Sequence, residues 1–126
     1  MPAISASSSA PPLDHLRLVR LANRALAGLA RTGSSMSNGS GDYVIAFSTR
    51  RHIPTVQPSN RLTDTVEVVR NDVMSGLFQA TIDATEEAIH NSLLRAETVR
   101  GYRGVVRALP IDSTVLILKR HGAIAR

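Results

Sequence analysis

The sequence contains no cysteine, so neither a disulfide framework nor a thiolate metal site is available to the chain. Aromatic residues make up only 3% of it, which leaves no platform of rings on which nucleobases could stack. No apolar run approaches the roughly 20 residues that a membrane-spanning helix needs. These absences argue against a disulfide-stapled protein, a nucleic-acid binder and a membrane protein, and they favour an ordinary globular domain.

The composition agrees with such a domain. Of the 126 residues, 43% are hydrophobic and 20% are charged, which suits a chain with one core. The 15 Lys and Arg residues outnumber the 10 Asp and Glu residues, but they are scattered, which favours a solvated basic face over a nucleic-acid groove. The N-terminal segment lacks the basic and apolar regions of a secretory signal, so a cytoplasmic location is expected, with no nucleic-acid or membrane partner.

The histidines and carboxylates form no recognisable metal or acid–base motif. Four histidines lie far apart in the sequence, with no His-x-x-x-His pair: His15, His52, His90 and His121. Glu86 and Glu87 are adjacent, so on a helix they diverge by about 100° and cannot act as a catalytic pair. Asp83 and Glu87, at i and i+4, are typical of a solvated helix face. No metal and no cofactor are therefore expected.

The chain is predicted to consist of a disordered segment, residues 1–12, and a single domain, residues 13–126. The segment is rich in Ser, Ala and Pro. Asp14 is predicted to cap a first helix that ends near Ala30. Apolar residues form one stripe of this helix, and three arginines are expected on its solvent face: Arg17, Arg20 and Arg24.

The remaining elements follow from hydrophobic patterning. Residues 43–49 are predicted to form a strand, and the almost continuously apolar run from Tyr43 to Phe47 suits a strand covered on both faces. Residues 65–69 predict a second short strand. The intervening residues 50–64 are predicted to form a loop. Apolar residues at 3 and 4 spacing predict the longest helix over residues 72–97. Two glycines, Gly101 and Gly104, then interrupt the chain.

Asp112 is predicted to cap a last helix that ends at Gly122. The resulting order is helix, strand, a possible second strand, helix and helix, which indicates an α/β fold. One or two strands are too little sheet to be stable alone. Further strands are therefore expected beside residues 43–49.

The loop over residues 32–42 is the strongest candidate for a functional site. It brings a hydroxyl and a carboxylate, Ser40 and Asp42, to the start of the first predicted strand. Side chains at i and i+2 of a strand point to the same face, so these two can act on one group. A glycine-rich turn with no chemistry is the alternative. A nucleophile elbow, Gly-x-Ser-x-Gly, does not fit, because Asn38 and Asp42 occupy the two glycine positions.

Three ordered blocks resemble the DmpA and β-peptidyl aminopeptidase family of self-processing serine aminopeptidases. The first comprises Arg31-Thr32-Gly33, Asn38-Gly39-Ser40-Gly41-Asp42 and residues 45–49. The second comprises residues 77–81, 84–89 and 91–93, and the third comprises residues 108–112 and 120–122. The resemblance covers roughly residues 10–122 and corresponds to the smaller β chain of that family.

The resemblance implies a partial αββα sandwich with the architecture of N-terminal-nucleophile hydrolases. Ser40 would hydrogen-bond the nucleophilic serine or its amine, and Asp42 would hold a positively charged α-amino group. Some family members carry glutamate at the Asp42 position, so Asp42 reaches one methylene less far. The implied activity is release of N-terminal residues from short peptides, amides or esters, without a cofactor. The resemblance leaves the substrate-binding residues unassigned.

The N-terminus departs from the family pattern. The nucleophilic serine begins the family's β chain, and counting back from Arg31 without gaps places that position near Pro2. Residues 1–9 do not resemble the nucleophile strand. After removal of Met1, the secondary amine of Pro2 is a minor alternative nucleophile. We therefore expect a chain that is incomplete alone and needs an α-like partner chain or a homo-oligomer. The alternative is a non-catalytic scaffold or interaction module that keeps the fold.

Overall fold

The computed structural model describes residues 10–49 and 66–125. The chain divides into two compact units, Met1–Glu86 and Glu87–Arg126. In chain order the described elements are α1 (His15–Arg31), a 3-10 turn (Asn71–Val73), α2 (Met74–Leu94), β1 (Val99–Gly101), β2 (Gly104–Val106) and α3 (Ile111–Arg120). This mixture of helices and a small sheet agrees with the predicted partial α/β class. The predicted loop over residues 50–64 lies outside the described residues.

Helix α1 begins where the sequence predicts. The Asp14 carboxylate accepts a hydrogen bond from the backbone N–H of Arg17 at 3.0 Å and from the Arg17 guanidinium at 2.8 Å. These bonds, of which the backbone bond has the largest effect, hold the pKa of Asp14 below its ordinary value. The helix ends at Arg31, one residue beyond the predicted end.

Within the first unit, α1 packs closely against α2. Gly28 is the buried residue of α1, and a β-carbon added to it would lie 2.6 Å from the carbonyl oxygen of Ile82. At the start of α2, Met74 is completely buried. The glycine therefore lets the two helix backbones approach more closely than any side chain at this position would allow.

The predicted solvent face of α1 is partly covered. Arg17, Arg20 and Arg24 are half-buried instead of solvated. The guanidinium carbons of Arg20 and Arg24 lie 4.8 and 4.6 Å from the centroid of the Phe78 ring on α2, which is cation–π geometry. Arg20 also donates to the Asn71 side chain at 2.6 Å. The prediction was wrong because an arginine can pack its stem and planar head on an aromatic ring.

Among residues 10–49 and 66–125, neither predicted strand is present. Residues 43–49 pair with no described strand, and Tyr43, Ile45 and Phe47 are 76%, 81% and 54% exposed. Residues 66–69 are not a strand either, and residue 65 lies outside the described range. The backbone N–H of Val69 donates instead to the carbonyl of Pro12 at 2.9 Å. An apolar segment becomes a strand only beside a partner that completes its ladder, and the described residues do not supply one.

The Pro12 contact falls at the end of the segment predicted to be disordered. Residues 1–9 lie outside the described range, so disorder over residues 1–12 stays a prediction, as does the single domain over residues 13–126.

The second unit contains a hairpin that the sequence analysis missed. Strands β1 and β2 pair antiparallel, with Val99 opposite Val106 and Gly101 opposite Gly104. A two-residue turn joins them, and Gly104 has a φ of +135°, which favours glycine. Helix α2 ends three residues earlier than predicted, at Leu94, because the chain must leave the helix to enter this hairpin.

For helix α3, the predicted start was wrong and the predicted end is confirmed. Asp112 is not the N-cap: Pro110 occupies that position, and Asp112 lies in the first turn, where its charge still suits the helix dipole. At the other end, Gly122 has a φ of +70°, and Ala123 donates to the carbonyl of Leu118 at 2.9 Å. This Schellman arrangement ends the helix as the glycine predicted. No helix among the described residues combines the length and apolar character needed to cross a membrane.

Candidate functional site

The loop that carries the candidate site is anchored at its start by the end of α1. The Thr32 hydroxyl donates to the carbonyl of Leu29 at 2.7 Å, and the N–H of Gly33 donates to the carbonyl of Ala30 at 3.0 Å. Gly33 has a φ of +96°, a conformation that turns the chain away from the helix at little cost only for glycine.

A tight turn precedes the candidate residues. The backbone N–H of Ser40 donates to the carbonyl of Ser37 at 2.9 Å, and Gly39, at the third position of the turn, has a φ of +96°. This is the hydrogen bond and glycine placement of a type II β-turn. The turn therefore fixes the direction in which the chain leaves Ser40.

The structure brings Ser40 and Asp42 together. The hydroxyl of Ser40 donates to Oδ2 of Asp42 at 2.5 Å, and both residues are exposed. The sequence predicted this proximity from a strand, but residues 43–49 pair with no described strand. The two side chains instead meet in the loop, directly after the turn over Ser37–Ser40.

The pair has a definite chemical capacity. Because the Ser40 hydroxyl donates its hydrogen bond to the carboxylate, the lone pairs of its oxygen are left to accept a hydrogen bond from another hydroxyl or an amine. A carboxylate has about four acceptor positions, so Asp42 can bind a cationic donor while it keeps the Ser40 bond. The arrangement suits binding of an ammonium group beside a hydroxyl.

A cluster of charged side chains lies at the end of α1, and no sequence pattern connects its members. Arg31 Nη1 lies 2.7 Å from Asp83 Oδ1, and Arg31 Nε lies 3.2 Å from Glu86 Oε2. Gln79 donates to the same Asp83 oxygen at 2.7 Å. Asp83 and Glu87 were predicted to form a solvated face of α2, but Asp83 binds the last residue of α1. Glu87 takes no part in these contacts.

The other candidate residues do not add to the site. No group of three or more His, Asp or Glu residues in the described part of the chain is arranged to hold a metal ion. His52 and Pro2 lie outside the described residues, as do the N-terminal serines Ser5, Ser7, Ser8 and Ser9. The loop therefore carries the candidate chemistry among residues 10–49 and 66–125.

Comparison with known proteins identifies relatives over most of the chain. The profile of peptidase family S58 matches residues 6–107. The β-peptidyl aminopeptidase BapA of Sphingosinicella microcystinivorans is 42% identical over 120 residues, which cover 94% of this chain and 30% of BapA.

Two solved structures match as well. A Pyrococcus horikoshii protein is 42% identical with a TM-score of 0.73, over 89% of this chain and 31% of that one. The L-aminopeptidase D-Ala-esterase/amidase of Ochrobactrum anthropi, described as a prototype serine aminopeptidase with a variant of the Ntn-hydrolase fold, is 34% identical. Its TM-score is 0.75, over 91% of this chain and 32% of that one.

These matches confirm the predicted fold class and the predicted resemblance. The fold is the partial α/β fold of Ntn-hydrolase aminopeptidases, and the chain spans about 30% of the length of the relatives it matches. The profile match covers most of the 126 residues. The chain therefore belongs to peptidase family S58.

Proposed function

We propose that this chain provides the Ser40–Asp42 part of a serine aminopeptidase that releases N-terminal residues from short peptides, amides or esters. The observation that carries the proposal is the 2.5 Å hydrogen bond between these side chains on an exposed loop. Family membership supports it, because BapA and the Ochrobactrum anthropi enzyme are aminopeptidases.

An aminopeptidase must recognise a free amine next to the bond it cleaves. Asp42 would accept hydrogen bonds from this ammonium group, and such charge-assisted bonds are short and strong. Ser40, held by Asp42, would accept a hydrogen bond from the nucleophilic serine or from an amine. Holding these groups in place lowers the entropic part of the barrier to attack on the carbonyl carbon.

We further propose that the chain works with an α-like partner chain, which would complete the sheet and supply the groups that stabilise the oxyanion. Support comes from the exposed apolar segment directly after the site, where Tyr43 and Ile45 are 76% and 81% exposed. Large exposed apolar side chains next to each other mark a surface that another element covers. A homo-oligomer is the alternative occupant, and a cytoplasmic location is part of the proposal.

The test is hydrolysis of alanyl and β-alanyl p-nitroanilides. The chain is assayed alone and after mixing with a separately produced α-like chain. Ser40→Ala and Asp42→Asn should abolish most of the hydrolysis. Ser35→Ala is the matched control, because Ser35 lies exposed in the same loop and should leave the rate unchanged.

Equal hydrolysis in Ser40→Ala and wild type would contradict the assignment of the site. No hydrolysis in any mixture, with association intact, would favour the non-catalytic scaffold. Hydrolysis by the chain alone would contradict the need for a partner and would direct the search for a nucleophile to Pro2 and the N-terminal serines.

A further inference from the structure

Arg31 occupies a junction between the helix pair and the candidate site. It is the last residue of α1, and the loop that carries Ser40 and Asp42 starts directly after it. Its guanidinium contacts two carboxylates of α2, Asp83 at 2.7 Å and Glu86 at 3.2 Å. The function proposed above assigns nothing to any of these three side chains.

The geometry of the cluster goes beyond that of a simple surface ion pair. Two different guanidinium nitrogens, Nη1 and Nε, contact two different carboxylates, which restricts both the position and the rotation of the Arg31 head. Asp83 is held in turn by Gln79, at 2.7 Å. Glu86 is the more buried acid, with 27% of its side chain exposed, so its contact is screened less by solvent than an open pair would be.

The loop beyond Arg31 contains its own hydrogen bonds. Thr32 and Gly33 bond back to the last turn of α1, Met36 donates to the Ser34 hydroxyl at 3.3 Å, and Ser40 closes the turn with Ser37. Local bonds of this kind preserve the internal shape of a loop but do not fix where the loop lies. Its placement depends on how firmly the end of α1 is held on α2.

We propose that Arg31 is a positioning residue: its contacts with Asp83 and Glu86 fix the loop that carries Ser40 and Asp42 relative to α2. The proposal rests on the proposed function only for what the loop does to a substrate. Loss of the Arg31 contacts should leave the Ser40–Asp42 pair intact and let the loop sample a wider range of positions. Arg31→Lys keeps one charge contact and should retain part of the effect.

The test measures loop position directly and needs no activity. Because the chain has no cysteine, Ser35→Cys in the loop and Ala80→Cys on α2 give two specific sites for spin labels. Both positions are exposed. Electron-spin distance measurements should show a distribution about twofold wider in Arg31→Gln than in the wild-type background, with an intermediate width in Arg31→Lys.

Arg17→Gln is the matched control, because it removes an ion pair at the opposite end of the same helix. It should lower the unfolding temperature without widening the distribution, which separates positioning from general stability. An unchanged width in Arg31→Gln would overturn the proposal, and so would equal widening in Arg17→Gln.

In an active mixture with an α-like chain, Arg31→Gln should raise KM more than it lowers kcat, because Asp42 would hold the amine less well. If Arg31→Gln widens the distance distribution but the wild-type chain hydrolyses no substrate in the mixture, the proposed function is contradicted and the positioning role is supported. The two failures are therefore distinguishable.

Discussion

Gly28 on α1 and Thr85 on α2 lie so close that a β-carbon on the glycine would stand 2.8 Å from Cβ of Thr85. Toward the N-terminal ends, Arg24 lies over the Phe78 ring, so the two helices run in the same direction. Parallel helices cannot be joined by a short turn, and contacts between side chains must set their register. At Gly28 the two backbones are too close for a side chain to fit between them.

Gly28→Ala should therefore destabilise the protein. The added methyl group would lie 2.6 Å from the carbonyl oxygen of Ile82, a backbone atom that cannot move without shifting the helix. We expect the free energy of unfolding to fall by about 1–3 kcal/mol, measured by urea denaturation. The matched control is Gly76→Ala on α2, where nothing lies within 4 Å and alanine should stabilise the helix by about 0.5–1 kcal/mol. Equal stability of the two variants would contradict the close contact.

The stacking of Arg24 on Phe78 should be measurable as a coupling energy. Arg24→Met keeps most of the alkyl stem but removes the charge, and Phe78→Leu removes the ring but keeps apolar volume. In a double-mutant cycle of unfolding free energies, the two substitutions should be non-additive by about 0.5–1 kcal/mol. Additive effects would show that the 4.6 Å approach of the guanidinium to the ring contributes only contact area.

The N-cap of α1 should make stability depend on pH. The backbone N–H and side chain of Arg17 hold the pKa of Asp14 below its ordinary value of 3.8, so folding favours the ionised carboxyl. The contribution is present above pH 3.8 and is lost as pH falls through the lower pKa of the folded state. The difference in unfolding free energy between wild type and Asp14→Asn should be constant above about pH 5 and shrink below pH 3.8. A difference that persists to lower pH would contradict this.

Local signals explain what the sequence could predict. Asp14 before an apolar stripe identifies the start of α1, and Gly122 identifies the end of α3, because caps depend on a few neighbouring residues. The proximity of Ser40 and Asp42 is equally local, although the two residues lie in a loop and not in a described strand. The resemblance to serine aminopeptidases supplied the role of the pair, which the spacing alone left open.

Contacts between distant parts of the chain explain what the sequence could not predict. Arg31 and Asp83 are 52 positions apart, so no periodic pattern connects them. The segment over residues 43–49 has the composition of a strand, but pairing depends on a neighbour that composition does not reveal. Strands β1 and β2 have three residues each, too few for alternation to show, although valines on both sides of a two-residue turn bounded by glycines were an available signal.

The last prediction concerns the amine that Asp42 is proposed to hold. In an active mixture, Asp42→Asn should lower kcat/KM for alanyl p-nitroanilide by about 10- to 100-fold, because a neutral amide forms a weaker hydrogen bond to an ammonium group than a carboxylate does. Asp42→Glu keeps the charge and should retain more activity. N-acetyl-alanyl p-nitroanilide is the control substrate, since it has no ammonium group and its slow hydrolysis should not depend on residue 42. If Asp42→Asn slowed both substrates equally, Asp42 would act on Ser40 or the nucleophile instead of the substrate amine.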